Sequence, residues 1–500
     1  MLKNRKIILI MTDTQRWDMV NCYRQTGLQT PNIDRLAAAG VRYERAYTTQ
    51  PVCQPARAGI FTGQYPHSVG SWTNSYGISE TAHSVGERLM LDGVHTAYIG
   101  KWHLDGGDYF GLGKCPKGWD PAYWYDMKCY LEELTEQEQY DSRHSQLMET
   151  RDFSEDFLYG HRVSNRAIDF LEKFHDDDFL LVVSYDEPHD PSLCPPPYSK
   201  MYKDFCFPKS ENIWDTMEGK PEHQKVWGAR NMGLDKDKLE LKQPYLFGCN
   251  SYVDYEIGRV LDAIDQHAPD AIVIYTSDHG DMMFSHNLWA KGPCAYDEIT
   301  RIPFIVRGPG IPQGVVDGNP VSHINITPTI LELMGANVPN TMEGKSLLPE
   351  LENPEVRVND YVFTEFGRYE VDHDGFGGLQ LMRTVFDGRY KFTVNLLTSD
   401  ELYDMEQDPA EMKNLIDDPA YAQIRDHLHD VLLDHMNKTR DPFRGYYWER
   451  RPWRKDASEA TWDYTLMTRQ RDEDTRFEDR QLDYSTGLPM KSASREKEKI

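Results

Sequence analysis

Long apolar runs, paired cysteines and an excess of basic residues are all missing from this sequence of 500 residues. A membrane-spanning helix needs about 20 consecutive, mostly apolar residues, and no stretch of the chain meets that requirement. The eight cysteines are dispersed without a C-x-x-C pair, so neither a disulfide framework nor a cysteine zinc site is indicated. We therefore expect a soluble, cytoplasmic protein whose cysteines are mostly free thiols.

The overall charge is strongly acidic. With 81 acidic and 55 basic residues, the chain has a net charge of -26. Such a surface repels nucleic acids and anionic membranes at long range, so we expect neither as a partner. An anionic ligand must instead meet a local cluster of basic side chains.

Short apolar runs recur along the first 310 residues, separated by stretches with helical periodicity. Uninterrupted apolar runs are typical of strands buried on both faces, as in a mainly parallel sheet. The first run follows basic residues, as in a signal peptide, but it is short and no small-residue cleavage site follows, so it is predicted to be a strand. The predicted strands are residues 6–11, 95–100, 179–185, 271–277 and 303–308, and the predicted helices are residues 30–40, 161–174, 250–267 and 326–335. This order predicts a doubly wound α/β fold with a large, mixed, mainly parallel sheet flanked by helices.

The pattern changes near residue 355. Alternating runs that turn at Asp387-Gly388 predict a small antiparallel sheet, followed by a helix around residues 418–437. The remaining residues mix charge, aromatics and proline without a period, which is too little apolar content to fold alone. We predict a main domain over residues 1–355, an α+β subdomain over 356–437 and an extended arm over 438–500. The arm is expected to pack across a subunit boundary, which predicts a homo-oligomer.

Polar groups crowd the ends of the predicted strands. Ligands of open α/β sheets bind beyond the carboxyl ends of the strands, where a single polar residue is more often a surface or capping residue than a catalytic one. Seven together are harder to explain in that way. They are Asp13, Lys101, His103, His189, Asp278, His279 and Lys291.

The stretch PVCQPARAGIFTG, residues 51–63, contains Cys53 and Arg57 and suggests an anion site at the start of a helix. Pro55 suits the first turn of a helix, so the helix is predicted to begin at Gln54 or Pro55 with Cys53 at its cap. Arg57 then lies on the same face as Cys53 and adds its charge to the positive end of the helix dipole. Taken alone, these two residues are better explained as a buried cysteine beside a surface arginine, so the anion site depends on the rest of the chain.

The chemical types of these groups suggest their use. Asp13 and Asp278 offer carboxylate oxygens suited to a divalent cation such as calcium. Arg57, Lys101 and Lys291, with two histidines, suit a compact anion or a transition state that gains charge on an ester oxygen. The combination indicates a site for a sulfate or phosphate ester.

The motifs together resemble the type I, formylglycine-dependent sulfatases of the alkaline phosphatase superfamily. CQPARAGIFTG matches the signature C-x-P-x-R, supported by GKWH near residue 100, PH at 188, SDHG at 277, KG at 291 and TRIPFIVRGPG at 300. The resemblance spans about residues 5–435 and is nearest to a group of uncharacterised bacterial sulfatases. It implies the alkaline-phosphatase-like fold, with the main domain as the catalytic domain, and a sulfuric ester hydrolase activity.

The resemblance also implies roles for the site residues. Cys53, converted by a maturation enzyme to formylglycine, would be the nucleophile, and Arg57 would hold its geminal oxygens. The implied metal ligands are Asp13, Asp278 and His279, and the implied sulfate-binding groups are Lys101, His103, His189 and Lys291. His189 or Lys291 would protonate the leaving alcohol, and His103 would act as the base that releases sulfate. Arg368 and His373, in a glycine-rich loop of the subdomain, are the predicted substrate-binding residues.

Two positions depart from the family pattern. Many members have a second aspartate where this chain has Thr14, and an asparagine where it has His279. Histidine is an unusual ligand for calcium and favours a borderline metal such as manganese. The family favours calcium, so calcium is expected with manganese as the alternative.

Four functions remain open from the sequence. The first is a sulfatase acting on a small sulfate monoester such as a sulfated sugar, and the second is a phosphonate monoester or phosphodiester hydrolase on the same scaffold. A metal-dependent phosphatase or phosphomutase would use serine or threonine in place of the C-x-P-x-R cysteine. A binding protein that is never matured would keep the pocket with an unmodified Cys53.

Overall fold

Two β-sheets organise the chain. The computed structural model describes residues 3–106, 109–370 and 378–454. The strands of the larger sheet are β1 (Lys6–Asp13), β2 (Val41–Tyr47), β3 (His95–Gly100), β4 (Phe179–Pro188), β5 (Ile272–Ser277), β6 (Phe304–Arg307) and β7 (Val315–Ser322). Those of the smaller sheet are β8 (Val362–Phe366), β9 (Met382–Phe386), β10 (Tyr390–Asn395) and β11 (Glu401–Asp404).

The larger sheet is mixed and mainly parallel, as predicted. Its strand order is β3-β4-β1-β5-β6-β2-β7, and only β6 runs antiparallel to its neighbours β5 and β2. The sequence patterns predicted five of these strands and missed β2 and β7. Both lie at one end of the sheet and are only partly buried, and β7 contains glycine and proline, so neither shows an uninterrupted apolar run.

Helices cover both faces of this sheet. The described α-helices are α1 (Pro31–Ala38), α2 (Cys53–Thr62), α3 (Pro66–Val69), α4 (Val85–Met90), α5 (Met127–Glu132), α6 (Glu136–Asp141), α7 (Tyr159–Phe174), α8 (Tyr198–Met201), α9 (Glu222–Met232), α10 (Pro244–His267), α11 (Asp297–Thr300), α12 (Ile326–Leu333), α13 (Leu348–Glu352), α14 (Ala422–Lys438) and α15 (Tyr446–Glu449). None of them has the length and apolarity that crossing a membrane requires.

Strand β1 shows how one strand builds two cores. Ile7, Leu9 and Met11 pack with α2, α4 and α12 on one face, whereas Ile8 and Ile10 pack with α1, α7 and α10 on the other. Successive side chains of a strand point to opposite faces, so this apolar run is buried on both sides. The result is the predicted three-layer α/β architecture.

The smaller sheet is antiparallel in the order β11-β10-β9-β8, and the predicted turn at Asp387-Gly388 joins β9 to β10. Gly388 has a φ of 101° there, which glycine adopts without strain. Helix α14 packs on this sheet through Leu428 and Leu432, against Val385 and Phe392. The predicted small C-terminal sheet with its helix is thus present.

The first part of the predicted arm packs on the smaller sheet. Trp448 is buried in the same apolar cluster, and Arg451 Nε and Trp453 Nε1 each lie 2.8 Å from Asp400 Oδ2. Residues 455–500 lie outside the described residues, so the extended arm and its subunit contact stay predictions, as do the domain boundaries.

A buried ionic cluster joins α3 of the main domain to the smaller sheet. His67 Nδ1 lies 2.5 Å from Glu365 Oε2, and the His67 backbone N–H donates to Glu365 Oε1 at 2.8 Å. Arg383 Nε donates to Asp441 Oδ2 at 2.6 Å beside them. Burial alone would lower the pKa of His67, but Glu365 outweighs it and raises the pKa to about 8. His67 is therefore cationic at neutral pH in the folded protein.

This cluster predicts a pH-dependent stability difference between the wild type and His67→Asn. The pKa of His67 in the folded state, about 8, exceeds its ordinary value of 6.5, so its stabilisation is complete below pH 6.5 and is lost as the pH rises through 8. The free energy of unfolding of the wild type should exceed that of the variant by about 2 kcal/mol less at the upper end of this range than at the lower end. Thermal unfolding at several pH values measures it.

His429→Asn is the matched control. Burial lowers the pKa of His429 to about 4, so this residue is neutral in the folded and unfolded states above about pH 7.5. The difference in free energy of unfolding between the wild type and His429→Asn should stay constant between pH 7.5 and 9. A constant difference for His67→Asn from pH 6 to 9 would contradict the charged pair.

Candidate active site

The carboxyl ends of the central strands converge at one edge of the larger sheet. Asp13 is the last residue of β1, and β1 lies between β4 and β5. Asp278 directly follows β5 and Lys101 directly follows β3. Because these strands are parallel, residues far apart in sequence come together beyond the same edge.

Helix α2 delivers Cys53 to that edge. The helix begins at Cys53 itself, with Val52 as its N-cap, so the predicted start at Gln54 or Pro55 was one to two residues late. The backbone N–H of Gln54 donates to Asn74 Oδ1 at 3.0 Å, and Pro55 has no N–H to satisfy. The first turn therefore forms without a capping side chain at Val52. Cys53 is 1% exposed.

The Cys53 thiol lies among charged groups. Its Sγ is 2.7 Å from Lys291 Nζ, 3.2 Å from His279 Nε2 and 3.6 Å from Asp13 Oδ1. Burial and Asp13 would raise the pKa of this thiol, but Lys291 and Lys101 outweigh them and lower it. The surroundings of residue 53 therefore stabilise negative charge.

Arg57 lies behind the two carboxylates. It has no exposed surface, and its guanidinium donates to Asp13 Oδ2 at 3.0 Å and to Asp278 Oδ2 at 3.2 Å. Two further bonds go to the Lys101 carbonyl at 2.7 Å and to Ser184 Oγ at 2.9 Å. These bonds fix the orientation of both carboxylates. Its predicted contact with the oxygens of a matured residue 53 stays a prediction.

Asp13, Asp278, His279 and Cys53 fit a divalent metal ion. One ligand atom from each lies within 4.8 Å of the others, and all four residues are buried. The Nδ1 of His279 lies 2.8 Å from the Gly280 carbonyl, which only accepts, so Nδ1 carries the proton and Nε2 keeps a lone pair for a metal. Burial, followed by Lys291, lowers the pKa of His279 and keeps the ring neutral.

The two carboxylates also show why a cation suits this place. Burial and the charge of Asp13 raise the pKa of Asp278 to about 7, because two anions share a pocket without solvent. A divalent cation would relieve that repulsion. Thr14 holds both ligands, since its Oγ1 donates to Asp13 Oδ1 at 2.8 Å and its backbone N–H donates to Asp278 Oδ1 at 3.1 Å.

Lys101 and Lys291 form a cationic wall. Lys101 Nζ lies 2.8 Å from Asp13 Oδ2 and 2.8 Å from Asp186 Oδ1. Burial opposes its charge, but Asp13 and Asp186 hold the pKa of Lys101 well above its ordinary value. The pKa of Lys291 is likewise raised, against burial, chiefly by the Cys53 thiolate.

His103 has the opposite character. It is 3% exposed, and burial, followed by Lys101 and Arg57, holds its pKa well below the ordinary value. The ring is therefore neutral and keeps a nitrogen lone pair, but the same lowered pKa makes it a weak base, so its role as the base stays a prediction. Its ring centroid lies 5.4 Å from that of Tyr109.

The structure brings eight predicted site residues into one cluster, with His103 beside it. The eight are Asp13, Cys53, Arg57, Lys101, His189, Asp278, His279 and Lys291. Their catalytic roles stay predictions. Arg368 follows β8 and is half-buried beside Tyr369, whose ring centre lies 6.0 Å from Lys291 Nζ. His373 lies outside the described residues.

Three residues at this site were missed. Asp186 pairs with Lys101, Tyr109 contacts Asp186 and His189, and Tyr369 faces Lys291. Asp186 stands at the end of a predicted strand and was open to the same argument as Asp13. Tyr109 and Tyr369 lie in loops, and no periodicity in the sequence indicates where a loop side chain points.

Comparison with known proteins now adds the family. Residues 5–336 match the sulfatase family, and residues 285–438 match the C-terminal region of N-sulphoglucosamine sulphohydrolase. The chain belongs to the sulfatase family. Over 505 aligned residues this sulfatase is 44% identical to the uncharacterized sulfatase YidJ of Escherichia coli K12, covering 100% of this chain and 99% of the relative.

Solved structures share the fold. BT4656, determined in complex with its substrate D-glucosamine-2-N,6-O-disulfate, superposes with a TM-score of 0.72 at 21% identity, over 88% of this chain and 98% of the other. The phosphonate monoester hydrolase of Agrobacterium radiobacter also gives 0.72, at 22% identity, over 87% and 96%. The predicted family, the alkaline-phosphatase-like fold and the sulfuric ester hydrolase class are confirmed.

The metal cluster predicts a cation-dependent melting temperature. Added Ca²⁺ or Mn²⁺ should raise the Tm of chelator-treated protein, since binding to the folded state alone stabilises it by about 2.7 kcal/mol at a hundredfold excess over Kd. Asp278→Asn should lose most of this shift because it removes one anionic ligand. Differential scanning calorimetry with each cation gives the result.

Asp270→Asn is the control, because this exposed carboxylate pairs with Lys6 away from the site and its removal should leave the shift intact. An equal shift in Asp278→Asn and the wild type would place the cation elsewhere.

Proposed function

We propose that this enzyme hydrolyses a sulfate monoester on a small sulfated sugar, through a formylglycine made from Cys53 and with a divalent cation. The observation that carries the proposal is the position of Cys53. It starts a buried helix, with Sγ 2.7 Å from Lys291 Nζ and 3.6 Å from Asp13 Oδ1. A nucleophilic oxygen at this residue would lie between a carboxylate metal site and a cation for the sulfate.

Two groups are needed besides the chain as synthesised. Hydrated formylglycine supplies one hydroxyl that attacks sulfur and a second whose deprotonation re-forms the aldehyde and expels sulfate. A divalent cation at Asp13, Asp278 and His279 would supply positive charge that stabilises anionic oxygens. We expect calcium, with manganese as the alternative because His279 is a nitrogen ligand.

The proposed roles of the remaining side chains follow from their charges. Lys101 and Lys291, both held cationic, bind the sulfate oxygens. His103, held neutral by burial and its cationic neighbours, takes the proton of the second hydroxyl. Lys291 Nζ contacts residue 53 directly, at 2.7 Å from Sγ, so we assign Lys291 to the sulfate oxygens and His189 to the protonation of the leaving alcohol. The side chain of His189 is 20% exposed and its Nε2 lies 4.0 Å from Asp13 Oδ1.

A sulfated sugar is supported by the relatives. BT4656 was solved with a disulfated glucosamine, and residues 285–438 of this chain match the C-terminal region of N-sulphoglucosamine sulphohydrolase. Arg368, next to Tyr369 at the cationic wall, is the proposed substrate contact, together with His373. A maturation enzyme is the required partner, and a cytoplasmic homo-oligomer remains the proposed setting.

A phosphonate monoester or phosphodiester hydrolase is the second candidate. The phosphonate hydrolase of Agrobacterium radiobacter superposes as well as BT4656 does. Thr14 stands in place of a common sulfatase aspartate, so the metal site departs from the sulfatase pattern and keeps this candidate open. The 44% identity to a sulfatase over the whole chain favours the first candidate.

Maturation gives a direct test. Residue 53 should be cysteine when the protein is made without a maturation system and formylglycine when it is made with one, and only the matured sample should turn over sulfate esters. Peptide mass spectrometry of residues 51–63 measures the conversion, and Cys53→Ala is the inactive control. Full activity from protein that contains only unmodified cysteine would refute the formylglycine nucleophile.

Substrate preference separates the two candidates. One matured sample should give a higher kcat/KM with an aryl sulfate than with an aryl phosphonate monoester or an aryl phosphodiester. A tenfold advantage corresponds to about 1.4 kcal/mol of transition-state stabilisation. Should either phosphorus ester be preferred by that factor, the hydrolase of phosphorus esters becomes the better assignment.

A further inference from the structure

A hydrogen-bonded group of four side chains lies at one side of the site. The Tyr109 hydroxyl is 2.7 Å from Asp186 Oδ1 and 3.0 Å from His189 Nδ1. Lys101 Nζ lies 2.8 Å from the same Asp186 oxygen and 4.1 Å from the centre of the Tyr109 ring. The proposed reaction assigns no role to Tyr109 or Asp186.

The charge of Asp186 determines the direction of these bonds. The residue is 6% exposed; burial would raise its pKa, but Lys101 outweighs burial and lowers it, so Asp186 is a carboxylate. A carboxylate only accepts hydrogen bonds. Tyr109 has one O–H hydrogen and must donate it to Asp186, which leaves its oxygen able only to accept from His189.

The Asp190 carbonyl, like the Tyr109 oxygen, requires His189 to donate a hydrogen bond from Nδ1. Its Nδ1 lies 2.8 Å from the Asp190 carbonyl oxygen, which also only accepts. Both partners therefore require a proton on Nδ1. The other nitrogen, Nε2, lies on the side of the metal ligands, 4.0 Å from Asp13 Oδ1.

We propose that Tyr109, anchored by Asp186, is a positioning residue that orients His189 so that Nε2 delivers the proton to the leaving group. This inference rests on the proposed function, because it needs an ester with a leaving alcohol. As the S–O bond breaks, its electron pair goes to the alcohol oxygen, which takes the proton from Nε2. His189 is left neutral with its proton on Nδ1, the form that Tyr109 and the Asp190 carbonyl stabilise. Solvent returns the lost proton at the exposed edge of the ring.

Substituted phenyl sulfates test the role of Tyr109. A good leaving group such as 4-nitrophenol needs little protonation, whereas 4-methoxyphenol needs much more. General acid catalysis contributes about 100- to 10,000-fold, so loss of its positioning in Tyr109→Phe should lower kcat/KM about 10- to 100-fold for 4-methoxyphenyl sulfate. The same variant should lose less than about threefold for 4-nitrophenyl sulfate. The ratio kcat/KM is used because it reports the step in which the leaving group departs.

Two comparisons distinguish positioning from a merely structural effect. Tyr123→Phe removes a similar bond, from a tyrosine hydroxyl to Asp169 Oδ2 at 2.9 Å. This variant should leave kcat/KM unchanged for both phenyl sulfates. In a His189→Asn background, Tyr109→Phe should cause no further loss, because its effect passes through His189. A uniform loss across all leaving groups, or an undiminished loss in the His189→Asn background, would overturn the proposal.

A spectroscopic measurement keeps the inference testable if sulfates are not substrates. Failure of the matured wild type on every phenyl sulfate and on a panel of sulfated mono- and disaccharides would refute the proposed function, and the leaving-group series would then be repeated with aryl phosphonates. Independently of turnover, nitrogen-15 NMR of ring-labelled histidine, recorded at alkaline pH where the ring has lost the proton it delivers, should show the Nδ1–H form of His189 in the wild type and a mixture with the Nε2–H form in Tyr109→Phe. The same form in both proteins would contradict the role of Tyr109.

Discussion

The repulsion between two buried carboxylates is the constraint on which the rest of the site depends. Asp13 and Asp278 end adjacent parallel strands and have no exposed surface. Isolated anions without solvent are strongly unfavourable, so the fold must bring cations to them. Arg57 binds both from α2, and Lys101 binds Asp13 from the end of β3. Lys101 also lowers the pKa of the Cys53 thiol and is a proposed sulfate-binding group, so this compensation also prepares the site for an anionic substrate.

The smaller sheet is connected by hydrogen bonds to the helix that carries Cys53. The loop after β8 accepts hydrogen bonds at the Tyr369 carbonyl from Thr73 Oγ1 and from the Asn74 backbone. Asn74 in turn accepts from the first turn of α2, at Gln54. Helix α2, which carries Cys53, and the proposed substrate loop are thus joined through two residues. Displacement of the smaller sheet would therefore shift the start of α2, where residue 53 lies.

Sequence patterns predicted the central strands, the flanking helices and most of the polar site, and the reason is physical. Uninterrupted apolar runs such as residues 6–11 have few alternatives to a doubly covered strand, and parallel strands place their last residues at one edge. Strands β2 and β7 were missed because partial burial leaves no continuous apolar run. Tyr109 was missed because its role arises from the distance to His189, 80 residues away in sequence, which no local pattern contains. The helix start was misplaced by one or two residues because the Asn74 side chain, distant in sequence, satisfies the first turn.

The complete burial of α2 has a consequence for the order of events during biosynthesis. Every residue from Cys53 to Thr62 is buried, and the Cys53 thiol is enclosed by Lys291, His279 and Asp13. A maturation enzyme must reach Cys53, and in the finished fold neither Cys53 nor any other residue of α2 is accessible. If Cys53 is converted to formylglycine, the conversion must therefore precede folding, while the chain emerges from the ribosome or is still extended. Folding and maturation would then compete, and a chain that folds too early would remain permanently unmodified.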